Sequence, residues 1–143
     1  MLEVTSWCFV DRPPAEVFEV ISDFEQNPSW QNGMVSCRFT TERPMRVGSQ
    51  YEQQAKFLGR SIVSTFEVIE LDPGRMVKAT SIAGTFPITF TRIAEPHRDG
   101  TKVTAIVSGD SSGVFRLAAP LMKRMVKRSI DGDYRRLKSL LEK

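Results

Sequence analysis

Turn signals at Val47-Gly48, Gly59-Arg60, Pro73-Gly74, Gly84 and Asp99-Gly100 cut the middle of this chain into segments of strand length. Gly, Pro and Asp at such points supply the positive or fixed φ that a tight reversal needs. The residues between them read as strands near 34–42, 49–58, 61–71, 75–82, 86–95 and 102–109, and a weakly alternating strand covers residues 2–10. Turns this short make hairpins, so successive strands pair as neighbours.

The turns also propose a register, because directly paired residues share a face of the sheet. A two-residue turn at Gly59-Arg60 puts Phe57 opposite Ile62, Ala55 opposite Ser64, Gln53 opposite Phe66 and Tyr51 opposite Val68. Centring the next turn on Pro73-Gly74 pairs Val68 with Ala79, with Gly74 at positive φ in a tight Asp72-Pro73-Gly74-Arg75 turn. A turn at Ala83-Gly84 pairs Ser81 with Phe86, Ala79 with Ile88 and Val77 with Phe90. Asp99-Gly100 pairs Ala94 with Ala105 and Arg92 with Val107. One face then carries Tyr51, Gln53, Ala55, Phe57, Ile62, Phe66, Val68, Phe86, Ile88, Phe90, Arg92, Val103, Ala105 and Val107. It is apolar, but salted with Tyr51, Gln53 and Arg92. A single bulge would turn over everything beyond it.

Helices flank the strands. "DRPPAEVFEVISD" places two prolines at a helix start, followed by Val17, Phe18 and Ile21 at helical spacing. A short second helix covers Phe24 to Trp30, interrupted by Pro28, and a long one runs from Val114 to Leu141. On the long helix Ala118, Met122, Met125, Val126, Leu137 and Leu140 cluster on one side, yet Ser129 and Asp133 fall among them. A buried carboxylate is costly unless paired or solvated. Either that face is not fully dry, or the register is misread.

There are no repeats, low-complexity segments or linkers, so residues 1–143 are expected to form one domain. Hydrophobic residues at 41% and charged residues at 26% are ordinary for a globular chain, and no apolar run reaches the roughly 18 residues of a membrane span. No basic leader or cleavable apolar stretch opens the sequence, and Cys8 and Cys37 are too few for a disulfide framework or a zinc site. A cytoplasmic protein with two reduced, buried thiols is the expectation.

The net charge of +3 hides an asymmetry: residues 114–143 carry +6, leaving −3 on the rest. Lys123, Arg124, Lys127, Arg128, Arg135 and Lys138 fall opposite the apolar stripe, together with Asp131 and Tyr134. A solvated helix face explains this strip. The functional alternative is attraction to an anionic membrane, an acidic partner or RNA, but no nucleic-acid motif supports a specific nucleic-acid partner.

Little catalytic chemistry is on offer. The single histidine, His97, belongs to the turn "EPHRDGT", where exposure is expected, and no second one completes a Ser-His or Cys-His pair. Glu52 and Glu67 fall on the other sheet face. No ligand set for a metal and no Gly-rich phosphate loop is present, so neither metal nor cofactor is expected. Asp133, Ser129, Tyr51 and Arg92 remain as acid–base candidates without naming a reaction, and the catalytic residues stay unknown. Trp30, Phe66, Phe86 and Phe90 are core residues by default and cavity lining by alternative.

"DRPPAEVFEVISDFEQNPSW", "VIELDPGRMV", "DGTKVT" and "APLMKRMVKRSIDGDYRRLKSLLEK" together resemble the START-like, helix-grip superfamily (SRPBCC). Within it, the chain is similar to the bacterial polyketide cyclase/dehydrase group over essentially its whole length. The resemblance implies an α+β helix-grip fold: a seven-stranded curved antiparallel sheet with two short helices, wrapped around a long C-terminal helix that encloses a cavity. A lid helix can then present Ser129 and Asp133 to trapped water or a ligand group. The candidate cavity residues are Trp30, Tyr51, Gln53, Phe66, Phe86, Phe90, Arg92, Met122, Met125, Ser129 and Asp133. Asp133, about 24 Å along the helix from Leu117 at 1.5 Å per residue, is carried toward Tyr51 and Val68. Arg92 is then out of reach, and Arg136 at i+3 is the local partner.

The expected partner is a hydrophobic small molecule, such as a lipid, quinone or polyketide-like ring, bound or transported in that cavity. An aromatase/cyclase/dehydratase enzyme is the alternative. A docking module acting through the basic helix is third, with membrane contact not favoured.

Overall fold

The computed structural model describes residues 2–57, 59–84, 87–109 and 115–143. Seven strands, β1 (Leu2–Val10), β2 (Met34–Phe39), β3 (Gln50–Phe57), β4 (Arg60–Asp72), β5 (Met76–Ala83), β6 (Ile88–His97) and β7 (Gly100–Gly109), form one antiparallel sheet. Its order is β1-β7-β6-β5-β4-β3-β2. The chain leaves β1, crosses to the far edge through helix α1 (Pro14–Ser22) and a 3₁₀ turn (Phe24–Ser29), and meanders back strand by strand. Helix α2 (Phe115–Leu141) closes the structure. Val114 and Phe86 lie outside the described residues, as does the side chain of Ala118. This is the seven-stranded helix-grip fold expected above.

Local chemistry sets the elements. Pro14 starts α1, where a missing N–H costs nothing, and Val17, Phe18 and Ile21 are buried beneath it. Asp72-Pro73-Gly74-Arg75 is a tight turn: Gly74 has φ +82 and the Arg75 amide donates to the Asp72 carbonyl at 3.0 Å. Val68 pairs with Ala79 as expected, but Asp72 pairs with Met76, one residue off the turn-based register, and a bulge between Val68 and Glu70 restores it.

The other three hairpins depart from the expected register, each by two residues. Phe57 pairs with Arg60, so the first loop is residues 58–59 and Tyr51 meets Phe66 instead of Val68. Gly59, at φ +78, takes the second loop position and leaves Arg60 to the strand. Ala79 pairs with Phe90 instead of Ile88, and Val77 with Arg92. His97 pairs with Gly100, so the last loop is Arg98-Asp99, with Arg98 at φ 54. Gly100 is a strand glycine for a different reason: a Cβ there would stand 2.4 Å from the Val10 carbonyl oxygen. Because these three shifts are even, the described residues of those hairpins keep their faces. What changes is depth along the sheet, and Arg92 now pairs with Ala105 in place of Val107.

The helix differs too. Its inward stripe is Ile130, Asp133, Tyr134, Leu137, Leu140 and Leu141: Leu137 and Leu140 pack inward as expected, but the stripe is rotated from the one read off the sequence. Tyr134, expected on the outer face, is 3% exposed and packs 5.4 Å from Trp30. Ser129, expected inside, is exposed, and Leu121 is 60% exposed. The cause is where α2 rests. It leans on β1: Ser6 Oγ donates to Asp131, the Cys8 thiol to the Tyr134 carbonyl at 3.8 Å, and Lys138 Nζ to the Phe9 carbonyl at 2.8 Å. Lys138 therefore leaves the outward strip, while Lys123, Arg124, Lys127, Arg128 and Arg135 are exposed on it. Over residues 120–129 no side chain is fully buried, so that half of the helix stands off the sheet.

Candidate functional site

A cavity of about 150 Å³ lies between the sheet and α2. Its half-buried lining, toward solvent, is largely apolar: Met34, Ile88, Val107 and Ile130, with Gln31, Gln53 and Thr91. Its buried lining is Phe66, Ala105 and four polar residues, Asn27, Arg92, Asp133 and Tyr134. Phe90 completes the wall. Apolar sides and a polar floor are the usual make-up of a small-molecule site.

Arg92 is the centre of that floor. It is 5% exposed, delivered by β6 beneath the 3₁₀ turn. Its Nη1 donates at 2.9 Å to the Ile21 carbonyl and at 2.9 Å to Asn27 Oδ1. Ile21 is in the last turn of α1, which has no basic residue of its own, so the guanidinium supplies the cation that a helix C-terminus favours. Three rings surround it, with Cζ 4.8 Å from Trp30, 5.0 Å from Phe90 and 5.4 Å from Phe24. No carboxylate among the described residues forms an ion pair with it.

Asp133 faces the same cavity from α2. Its Oδ1 accepts the Asn32 amide at 2.9 Å and a bond from Arg136 Nη2, while Arg136 Nε donates to the Trp30 carbonyl at 3.0 Å. Helix and 3₁₀ exit are thus tied together at the cavity edge. Burial pushes the Asp133 carboxyl above the usual range, against the lowering pull of the Asn32 amide, Arg136 and Arg92. Burial likewise pushes the Tyr134 phenol up to about 12, with Arg92 acting in the opposite direction. Arg92 and Asp133 therefore share one site, which the distance argument from the sequence had excluded. The two-residue register shift moved Arg92 along the strand.

Of the other candidates from the sequence, Gln53, Phe66 and Phe90 line the cavity. Trp30 and Tyr51 stand behind it, Trp30 against Arg92 and Tyr51 stacked on Phe66 at 5.4 Å. Tyr51 is fully buried and its hydroxyl has no partner among the described residues. Met122 and Met125 are half-buried and lie outside the lining, Ser129 is exposed, and Phe86 falls outside the described residues. Asn27, Gln31, Met34, Ile130 and Tyr134 line the cavity without having been singled out. The i, i+4, i+7, i+11 run Ile130-Tyr134-Leu137-Leu141 was the available signal for the last two.

His97 is half-buried rather than exposed, edge-on to Trp7 at 6.2 Å and Phe9 at 6.1 Å, and is not among the cavity lining. Both thiols are free, and burial raises Cys8 to about 11 and Cys37 to about 12. Among the described residues no three His, Cys, Asp or Glu side chains converge as a metal set, and no helix is long and apolar enough to cross a membrane.

A curved sheet, a gripping C-terminal helix and a cavity between them define the START-like, helix-grip fold. The chain belongs to the family described as polyketide cyclase/dehydrase and lipid transport, whose sequence model matches residues 1–142. Its fold is similar to that of the Zhui aromatase/cyclase from a Streptomyces species, with a TM-score of 0.81, 14% identity, and 98% of this chain and 93% of that one covered. A START superfamily protein from Mycobacterium smegmatis aligns with a TM-score of 0.80 and 18% identity, over 99% and 98% of the two chains. A protein of Thermus thermophilus aligns at 0.75 and 19%, over 96% and 98%. No curated protein sequence matches significantly.

Proposed function

We propose that this protein binds a small, mostly apolar molecule in the cavity between sheet and α2. The observation that carries the reading is the lining itself: apolar side chains toward solvent, leading to a few convergent polar groups at the buried end. The family description, which includes lipid transport, supports it. Native mass spectrometry of freshly purified protein tests it. An apolar molecule carried through purification is the expected result. Protein that arrives empty, and takes up no apolar probe, would rule the reading out.

A second reading, an aromatase/cyclase/dehydratase-type enzyme, is favoured by one observation. Arg92, Asp133 and Tyr134 meet around a space where a carbonyl oxygen and an acidic C–H or O–H could sit. Loss of a positioned acid–base group costs turnover roughly 10²–10⁴-fold. A carrier should keep its affinity almost unchanged in Asp133→Asn, since apolar burial dominates binding. An enzyme that uses Asp133 should keep binding and lose turnover by that factor. Turnover of a polyketide-like substrate, abolished in Asp133→Asn, selects the enzyme.

A further inference from the structure

Buried cations are rarely left without a counter-charge, because desolvation of the charged form is only offset by close pairing. Arg92 is only 5% exposed yet takes part in no ion pair among the described residues. Its Nη1 bonds go to two neutral oxygens, the Ile21 carbonyl and Asn27 Oδ1. Arg92 thus has no ion-paired counter-charge of its own at the buried end among the described residues, since Asp133 across the cavity is engaged at Oδ1 by the Asn32 amide and by Arg136, whose side chain is 47% exposed. Rings of Trp30, Phe90 and Phe24 hold the guanidinium in place, which fixes its direction before any guest arrives.

We propose that Arg92 is the seat for the acid group of the guest, and that the natural ligand is a small organic monocarboxylate. This rests on the cavity reading above. The carboxylate enters first, charge to charge with Arg92, and the apolar body fills the remaining space and lies against Ile88, Val107 and Ile130. About 150 Å³ admits a benzene-sized body, and anything longer projects through the half-buried rim. A charge-assisted bond is shorter and about twice as strong as a neutral one, so acid and uncharged isostere should differ by about tenfold or more in affinity.

The test compares 4-butylbenzoate with 4-butylbenzamide, which share shape and differ in charge. Affinity is measured by titration calorimetry, and the indole N–H resonance of Trp30, assigned with Trp7→Phe, reports where the guest sits. The Trp30 ring lies 4.8 Å from Arg92 Cζ, so a guest at the floor shifts it. The expected result is that both bind, the benzoate about tenfold or more tighter, and that Arg92→Met removes the preference while Arg92→Lys keeps part of it. Equal affinity of the two probes in the wild type overturns the proposal and leaves the cavity reading standing. If neither probe binds, both fall. Should Arg92→Met fail to fold, the wild-type measurements still decide: a benzoate preference that leaves Trp30 unshifted places the anion elsewhere and overturns the assignment. So does a preference that survives in folded Arg92→Met.

Discussion

Asp133 joins two segments that are distant in sequence, since its Oδ1 receives both the Asn32 amide and Arg136. Its burial has a consequence for pH. A carboxyl whose folded pKa lies above its unfolded one contributes stability that is fully present below the unfolded value, about 3.9 for Asp. That contribution is lost as the pH rises through the folded value. Asp133 is such a group, raised first by burial. Asp131 and Glu142 are shifted the other way, lowered chiefly by Ser6 and by Lys138 respectively, but they are common to wild type and variant and cancel in a comparison. Relative to wild type, Asp133→Asn should therefore gain stability as the pH rises from below the ordinary carboxylate range through the raised value, then level off. Denaturant melts of both proteins across that range measure the difference. A flat difference, or one that falls with pH, would contradict the assignment of a raised carboxyl.

At the scale of elements, β7 and α2 carry the clearest expectations. Gly100→Ala would put a Cβ 2.4 Å from the Val10 carbonyl, a backbone atom that can move only with β1. Overpacking of this kind costs about 1–3 kcal/mol. Chemical denaturation should show that loss, whereas Gly74→Ala, with open space around its Cβ site, is limited by its φ of +82 alone. The basic strip of α2 is expected only to keep the helix solvated. Lys127 already pairs with Asp131, and the C-terminal half of the helix buries Tyr134 and Leu137 inward. Reversing Lys127 and Arg128 to Glu should leave both probe affinity and co-sedimentation with anionic vesicles unchanged. Vesicle binding by wild type at physiological salt, lost in the double variant, would show a docking surface, since each basic group near a membrane contributes about 1 kcal/mol. Element order and sheet faces were legible because turns and alternation are local properties of the chain. Loop boundaries were not, because a glycine serves equally at a turn or where strands crowd, as Gly59 and Gly100 show. The rotation of α2 was also hidden, since it is decided by its seat on β1 and not by its own composition. That is why Tyr134 was missed and Ser129 included, whereas Gln53, Phe66 and Phe90 came straight from strand parity.

Over the whole molecule, the sheet and α2 share a core that is interrupted by the cavity, and on the reading proposed above a guest completes the packing. A ligand that binds only the folded state adds RT ln(1 + [L]/Kd), about 2.7 kcal/mol at a hundredfold excess over Kd. Thermal melts with 4-butylbenzoate should shift upward with concentration by the amount its measured Kd dictates. A Kd from titration without a matching shift would mean that the probe binds unfolded chain or a site outside the cavity. The period-two alternation of the strands has a broader consequence. Two residues along a strand is about 6.6–6.8 Å, more than the length of a carboxyl group, and such a step never turns a side chain to the other side. Hairpin loops on this scaffold therefore act as a ratchet: chain gained or lost in pairs slides a charged group such as Arg92 deeper or shallower while the wall around it stays apolar. An engineered pair of inserted or deleted loop residues would move the polar end of the chamber in this way without redesigning the sheet that encloses it.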